Sequence, residues 1–256
     1  MIKDSIAMCC LTVIPVRAEH DDASEIVTQL LFGEFAMILE VHNQWRKIQI
    51  VHDDYIGWVD NKQLIPISQE AFKQFNNKKK RLQNEIAFIQ TDYGKQTVLA
   101  GTPILSENKE FTIDKYHFEW LTELQTTSKN IAEIAMRYLN APYLWGGRTM
   151  FGIDCSGFSQ TVYQQAGIYI NRDASQQVLQ GEEIAFNNQQ AGDLAFFKSE
   201  KTGNITHVGI LLENNKIIHA HGRVRIDTLD ETGIYDEKQK NYSHRFYNIK
   251  RHTKQT

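Results

Sequence analysis

With 256 residues, 41% of them hydrophobic, the chain has enough apolar material for one large domain or two to three smaller ones, which excludes a disordered polymer. A net charge of -3 and a pI near 6.3 supply no field that would gather phosphate backbones or anionic lipid, so neither nucleic acid nor a membrane surface is an expected partner. Three cysteines, two of them adjacent at Cys9 and Cys10, are an odd and badly spaced set for a disulfide framework, which points to free thiols in a reducing compartment.

The apolar stretch from Ser5 to Val16 has some character of a signal peptide. Against it, Asp4 cancels Lys3, Pro15 interrupts the run, and Val16-Arg17-Ala18-Glu19 is no small-residue cleavage site, so cytoplasm is expected. No run approaches the roughly 18 apolar residues of a bilayer span. Residues 8–67 read as short strands: MCCLTVIPV, IVTQLLF, EFAMILEVH, WRKIQIV, YIGWV and QLIPI. Ile48 and Ile50 alternate with polar neighbours, and Gly57 stands before Trp58 where a small antiparallel barrel would bend. The W-x-x-I and Y-x-G-W-V pattern resembles the bacterial SH3-like fold.

Residues 68–83 lack strand alternation, and Ser68 followed by Glu70 looks like a capped helix start, so a linker helix is predicted there. Its Lys78-Lys79-Lys80-Arg81 run reads as a solvated face. EIAFIQ, TVLAGTPIL and EFTI then suggest a second, degenerate barrel up to residue 123.

From Ser128 the period changes. Ile131, Ile134, Ala135, Tyr138 and Leu139 form the stripe of an amphipathic helix capped by Ser128 and ended by Asn140-Ala141-Pro142. A second helix follows YLWGGRTMFGID, with Phe158, Val162 and Ala166 spaced by four and Gly167 as its stop. The strands DLAFF, HVGILLE, KIIHAHG, VRID and HRFYNI complete an α+β domain over 124–256.

Cys155 admits two readings. It lies three residues before Phe158 on one helical face, as a buried apolar cysteine would. Asp154 is also a good N-cap, which puts Cys155 at the first helical position, where unpaired N–H groups and the positive dipole end lower a thiol pKa and can hold an oxyanion. Asp154 opposes the thiolate, so a cationic partner is required, and among nine histidines His207 and His219 lie in apolar strand runs. Register decides whether they meet. A two-residue turn at Asn214-Asn215 places them on opposite faces. A three-residue loop of Glu213, Asn214 and Asn215 pairs Leu212 with Lys216 and Gly209 with His219, so that both share a face at roughly 7–8 Å between backbones. His207 is then the base and His219 its orienter, with His221 at the rim. A zinc site of Cys155, His207 and His219 lacks a further ligand at close spacing.

PYLWGG, DCSGFSQ, GDLAFF and THVGILLENNKIIHA together resemble the NlpC-type cell-wall peptidases, a papain-like cysteine peptidase family, over about residues 128–250. Ala191 stands where that family usually has proline. The resemblance implies a papain-like α+β domain that needs no cofactor or metal, with Cys155 as nucleophile, His207 as general base and His219 as the polar third member. It implies Tyr143 as an oxyanion or substrate contact, against the plain reading of an aromatic packed under the Gly146-Gly147 turn. Asp154 and Ser156 would touch substrate, and Ser175 would reach a D-glutamate carboxylate. The N-terminal barrel narrows the resemblance to a subgroup that removes L-Ala-γ-D-Glu from murein peptides with a free amino terminus. There Glu25 and Tyr55 are the matches for receiving the ammonium, against plain readings as a strand-edge glutamate and a barrel aromatic. The expected chain is thus a monomeric recycling endopeptidase acting on murein peptides at the γ-D-glutamyl–diamino acid bond. A catalytically idle wall-peptide or protein-binding module, and an acyltransferase on the same core, are the alternatives.

Overall fold

The computed structural model describes residues 1–3, 5–127 and 130–253. The chain divides into two compact units, Met1–Thr127 and Ser128–Thr256.

In the first unit, alternating side chains build β1 (Ile6–Cys9), β2 (Val13–Arg17), β3 (Ile26–Leu31), β4 (Phe35–His42), β5 (Trp45–Ile50), β6 (Ile56–Asp60) and β7 (Leu64–Ile67). They form an antiparallel sheet in the order β3-β2-β6-β5-β4-β1-β7. MCCLTVIPV is two strands, not one: β1 pairs with β4 and β7, whereas β2 pairs with β3 and β6. Between them the carbonyls of Cys9 and Thr12 take N–H groups from Gly33 and Phe32, so the ladder cannot run through. Ile14, Val16, Leu30, Ile38, Ile48, Ile50 and Val59 fill one core.

Ser68 Oγ accepts the Ala71 N–H at 3.1 Å and starts α1 (Gln69–Phe75). The helix stops well short of residue 83, because two asparagines and a run of like charges follow it. Arg81 is not part of a solvated face: it is buried, and its guanidinium donates to Glu34 Oε1 and the Gly101 carbonyl. A four-stranded sheet of β8 (Ile86–Thr91), β9 (Gly94–Leu99), β10 (Glu110–Ile113) and β11 (Tyr116–Trp120) follows in the order β10-β11-β8-β9. A shared core joins it to the first sheet through Met8, Phe32, Phe75, Ile89, Val98, Phe118 and Trp120.

The second unit opens with α2 (Ile131–Met136), capped by Asn130, whose Oδ1 accepts the Glu133 N–H at 2.8 Å. The predicted cap, Ser128, lies outside the described residues. After Met136 the backbone tightens to bonds spanning three residues, and Leu139 turns outward, so the helical stripe ends early. The ribbon β12 (Arg148–Thr149) and β13 (Gly152–Ile153) leads into α3 (Cys155–Gln165), which is buried along its whole length, and α4 (Ala174–Gln177) follows.

The remaining strands are β14 (Glu182–Ile184), β15 (Leu194–Lys198), β16 (Ile205–Leu212), β17 (Lys216–His221), β18 (Arg223–Leu229), β19 (Gly233–Asp236) and β20 (Asn241–Arg251). Their order is β14-β20-β15-β16-β17-β18-β19, and β20 also pairs with β19, so that β15 to β20 close on themselves. Helix α3 packs on β16 and β17.

One close approach sets the height of α3. A Cβ at Gly157 would lie 2.3 Å from the Gly147 carbonyl oxygen, which is backbone and cannot swing aside. Gly157→Ala is therefore expected to lower stability by about 1–3 kcal/mol, the usual effect of overpacking. Urea unfolding measures this, and an unchanged midpoint would show that the first turn of α3 has slack.

Candidate active site

The site begins at the N-terminus of α3. Asp154 is the N-cap: its Oδ1 accepts the Gly157 N–H at 2.7 Å, and its Oδ2 accepts the Gly146 N–H at 2.8 Å. Cys155 therefore stands at the first helical position. Asp154 is only 5% exposed, and a buried carboxylate needs a counterion. Arg172, 1% exposed, provides it through contacts of 3.0 Å to Oδ1 and 2.6 Å to Oδ2, and it also donates to Ser156 Oγ at 2.9 Å. Nothing in the sequence around Arg172 marks it, since its partner lies 18 residues away and the pairing is tertiary.

The opposite wall is a hairpin. Ile210 faces Ile218, Leu211 faces Ile217 and Leu212 faces Lys216, which is the three-residue register. Both Asn214 and Asn215 adopt positive φ, near 57° and 56°, as asparagine tolerates. Gly209 lies against His219, where a Cβ would come within 2.9 Å of the histidine Cβ. The two rings meet: His207 Nε2 and His219 Nδ1 are 2.8 Å apart. His219, fully buried, places its other nitrogen, Nε2, 2.9 Å from Asp227 Oδ2.

Asp227 was not foreseen in the sequence, although the signal existed. The tight turn at Gly222 pairs His219 with Arg225 and Ile217 with Asp227, which makes Asp227 the diagonal neighbour of His219 on the same face. Arg225 donates to Asp227 Oδ1 at 2.7 Å and lies 3.0 Å from Asp236. Burial acts to raise the Asp227 pKa, but its bonds from His219 and Arg225 prevail and hold the carboxyl below its ordinary range.

An ionised Asp227 fixes every proton behind it. His219 carries its hydrogen on Nε2 and gives it to Asp227, so Nδ1 is an acceptor. His207 then carries its hydrogen on Nε2, which leaves Nδ1 of that ring as the acceptor. Burial, followed by the neighbouring imidazoles of His244, His219 and His221, drives the His207 pKa well below the usual imidazole value, so the ring is neutral at rest.

Cys155 is 8% exposed. Burial and then Asp154 push its thiol up to about 12, while backbone hydrogen bonding at Val208 and Ser156, and the charge of Arg172, pull it down. Val208 directly follows His207 in β16, so the sulfur lies against the strand that carries His207. This corrects the expectation of a depressed thiol pKa: removal of the sulfur from water outweighs the helix terminus. Tyr143 is half-buried near Cys155 and Asp154, and burial, then those two groups, raise its hydroxyl to about 12. Its backbone is pinned by an N–H bond to the Gly222 carbonyl and a bridge to Ile153. Ser156 is buried against Arg172, whereas Ser175 is exposed on α4, which Gln177 ties to the Ser156 carbonyl at 3.0 Å. Glu25, exposed, and Tyr55, half-buried, belong to the first unit.

Residues 140–243 match the NlpC/P60 family, and residues 16–64 match the bacterial dipeptidyl-peptidase Sh3 domain. The chain carries an NlpC/P60 domain behind a bacterial SH3 domain. Over 239 residues it is 29% identical to the γ-D-glutamyl-L-lysine dipeptidyl-peptidase of Bacillus subtilis, covering 83% of this chain and 79% of that protein. It is 26% identical over 249 residues to the protein of the same name from Bacillus cereus, covering 84% and 74%. An NlpC/P60 family protein of Bacillus cereus shares the fold, with a TM-score of 0.79 at 20% identity over 96% of this chain and 99% of that one. The chain is thus a mixed α+β cysteine peptidase, with an NlpC/P60 domain and an N-terminal SH3-like part. Among the described residues, no helix is long and apolar enough to cross a membrane.

Two measurements test this geometry. With a neutral resting thiol, alkylation of Cys155 by iodoacetamide, followed by peptide mapping, should climb with pH through 9.0, the ordinary thiol value, with no plateau below about pH 7.5, where low-pKa catalytic thiols are already ionised. A plateau there would establish a resting ion pair instead. In Asp227→Asn the amide can donate to His219 and reverse both tautomers, so kcat should fall by about 10²–10⁴, the usual worth of a general base, with KM little altered. Imidazole ¹⁵N shifts should report the reversed tautomers. Unaltered shifts would reduce Asp227 to a structural partner.

Proposed function

We propose that this NlpC/P60 chain hydrolyses the γ-D-glutamyl–L-diamino acid bond of murein peptides that carry a free N-terminal L-Ala, releasing L-Ala-γ-D-Glu during cytoplasmic peptide recycling. The observation that carries the reading is the Asp227–His219–His207 relay beside a cysteine at a helix N-terminus, in a chain whose relatives along most of its length are named for γ-D-glutamyl-L-lysine dipeptidyl-peptidase activity.

In this mechanism His207 Nδ1 takes the Cys155 proton as the sulfur adds to the γ-carbonyl. The oxyanion forms at the first-turn N–H groups of α3, with the Tyr143 hydroxyl as a further donor. The His207 imidazolium then protonates the departing diamino-acid nitrogen as the C–N bond breaks, leaving a thioester. A water deprotonated by His207 adds to that thioester, and the sulfur leaves and recovers its proton. His219 holds the imidazolium in place without reacting. Ser156 and Asp154 shape the pocket at the sulfur, and Ser175 receives the D-glutamate carboxylate. Glu25 and Tyr55 of the SH3-like part are our candidates for receiving the substrate ammonium; a desolvated ammonium needs a counter-charge, which selects free amino termini.

The organisation that accompanies this proposal is an SH3-like barrel over 1–67, a linker helix and a second, degenerate barrel over 68–123, and the peptidase domain over 124–256. The enzyme acts as a monomer, without a cofactor, on peptides and not on nucleic acid or membranes.

Mass spectrometry of products from L-Ala-γ-D-Glu-L-Lys and its diaminopimelate analogue decides the matter. L-Ala-γ-D-Glu should appear with the parent enzyme, vanish with Cys155→Ala, and drop sharply when the substrate amino terminus is acetylated. Equal turnover of free and acetylated peptides would refute the amino-terminal selection, and cleavage by Cys155→Ala would refute the nucleophile.

A further inference from the structure

The imidazole cluster extends beyond the two rings of the relay. His244, on β20, stacks on His207 with ring centroids 4.0 Å apart, and one ring nitrogen from each of His207, His219 and His244 falls within 4.8 Å of the others. His221, exposed, stands beside His244 with centroids 4.8 Å apart. Nothing in the hydrolytic steps requires His244.

We propose that His207, His219 and His244 form an inhibitory site for a borderline divalent cation of the zinc class. The nitrogens present match the chemistry of such an ion: neutral imidazoles bind zinc at about 2.0–2.1 Å, and three of them plus water make a familiar set. The outer partners match as well. Ligating histidines usually give their second N–H to a carboxylate or another oxygen, and here His219 Nε2 gives its hydrogen to Asp227 at 2.9 Å, which directs the Nδ1 lone pair into the cluster. Ser243 Oγ lies 2.9 Å from His244 Nδ1, which gives that ring an oxygen partner as well. The half-buried His244 and exposed His221 lie on the solvent side of the cluster and give the ion a way in.

The inhibition follows from proton balance. At rest a hydrogen on His207 Nε2 bridges to His219 Nδ1 across 2.8 Å. A cation entering between those nitrogens takes the lone pair of each, and the hydrogen of His207 moves to Nδ1 with no net release. The nitrogen that accepts the thiol proton then carries a hydrogen of its own. Base function is lost, and it returns when the metal leaves.

The test uses the full chain, with zinc binding read by competition against a chromophoric chelator and site identity read from cobalt(II) absorption, neither of which depends on peptide cleavage. One equivalent of zinc should bind, cobalt should give d–d bands without a thiolate charge-transfer band, and Cys155→Ala should bind as the parent does. Asp227→Asn should weaken binding by roughly 10–100-fold, as loss of an outer partner does, and His244→Gln by more. In chelator, His244→Gln should melt like the parent, and the turnover it retains should resist zinc inhibition. The proposal is overturned if His244→Gln binds zinc as tightly as the parent, or if a thiolate band appears and disappears with Cys155.

Discussion

A single carboxylate at the back of the histidine pair sets the direction of every proton in the site. Asp227 is ionised because Arg225 and His219 both donate to it, and Arg225 is itself held by Asp236. Once that charge is fixed, the tautomer of His219 follows, then that of His207, whose Nδ1 is left as the acceptor. In bulk water such a chain would dissolve into alternative tautomers. In the closed β15–β20 sheet the competing hydrogen-bond partners are gone, and an unmade bond at a buried nitrogen would cost about 1–3 kcal/mol.

The helix side of the site is a compromise between starting a helix and keeping a sulfur reactive. An N-cap must be a hydrogen-bond acceptor, and aspartate serves well, but it places a negative charge one residue from Cys155. Arg172 resolves the conflict by gripping both oxygens of Asp154, so that the cap keeps its geometry while its field at the sulfur is offset. Its position just before α4 gives the segment 171–177 a structural reason to fold against the first turn of α3, and Gln177 completes that link.

Much of this was legible in the sequence where one period or one turn carried the information. Asp154 as a cap, the burial of Phe158, Val162 and Ala166, and the three-residue register at Glu213-Asn214-Asn215 all depend on neighbours within a few residues. The same diagonal arithmetic, applied across Gly222, would have reached Asp227. His244 was out of reach for a different reason. Strand β20 bends through register shifts against both β15 and β19, and each shift changes which face a side chain occupies. Parity counted from sequence fails across a bulge, and Arg172 and Arg81, buried by tertiary pairing alone, leave no periodic trace.

In the proposed mechanism, a thiol and an imidazole that both rest neutral change what must happen when substrate arrives. Burial disfavours the separated charges of an ion pair, so the proton remains on sulfur until something stabilises the product of its transfer. A carbonyl seated at the N-terminus of α3 does this, because negative charge leaves the sulfur for the oxygen as the bond forms and meets N–H groups already in place. Proton transfer and attack are then one event, driven by the same charge movement. Until then the nucleophile stays a dry, uncharged thiol, which is a poor target for oxidants that react with thiolate. Desolvation, which looks unfavourable to the isolated cysteine, thus ties its reactivity to the presence of a peptide.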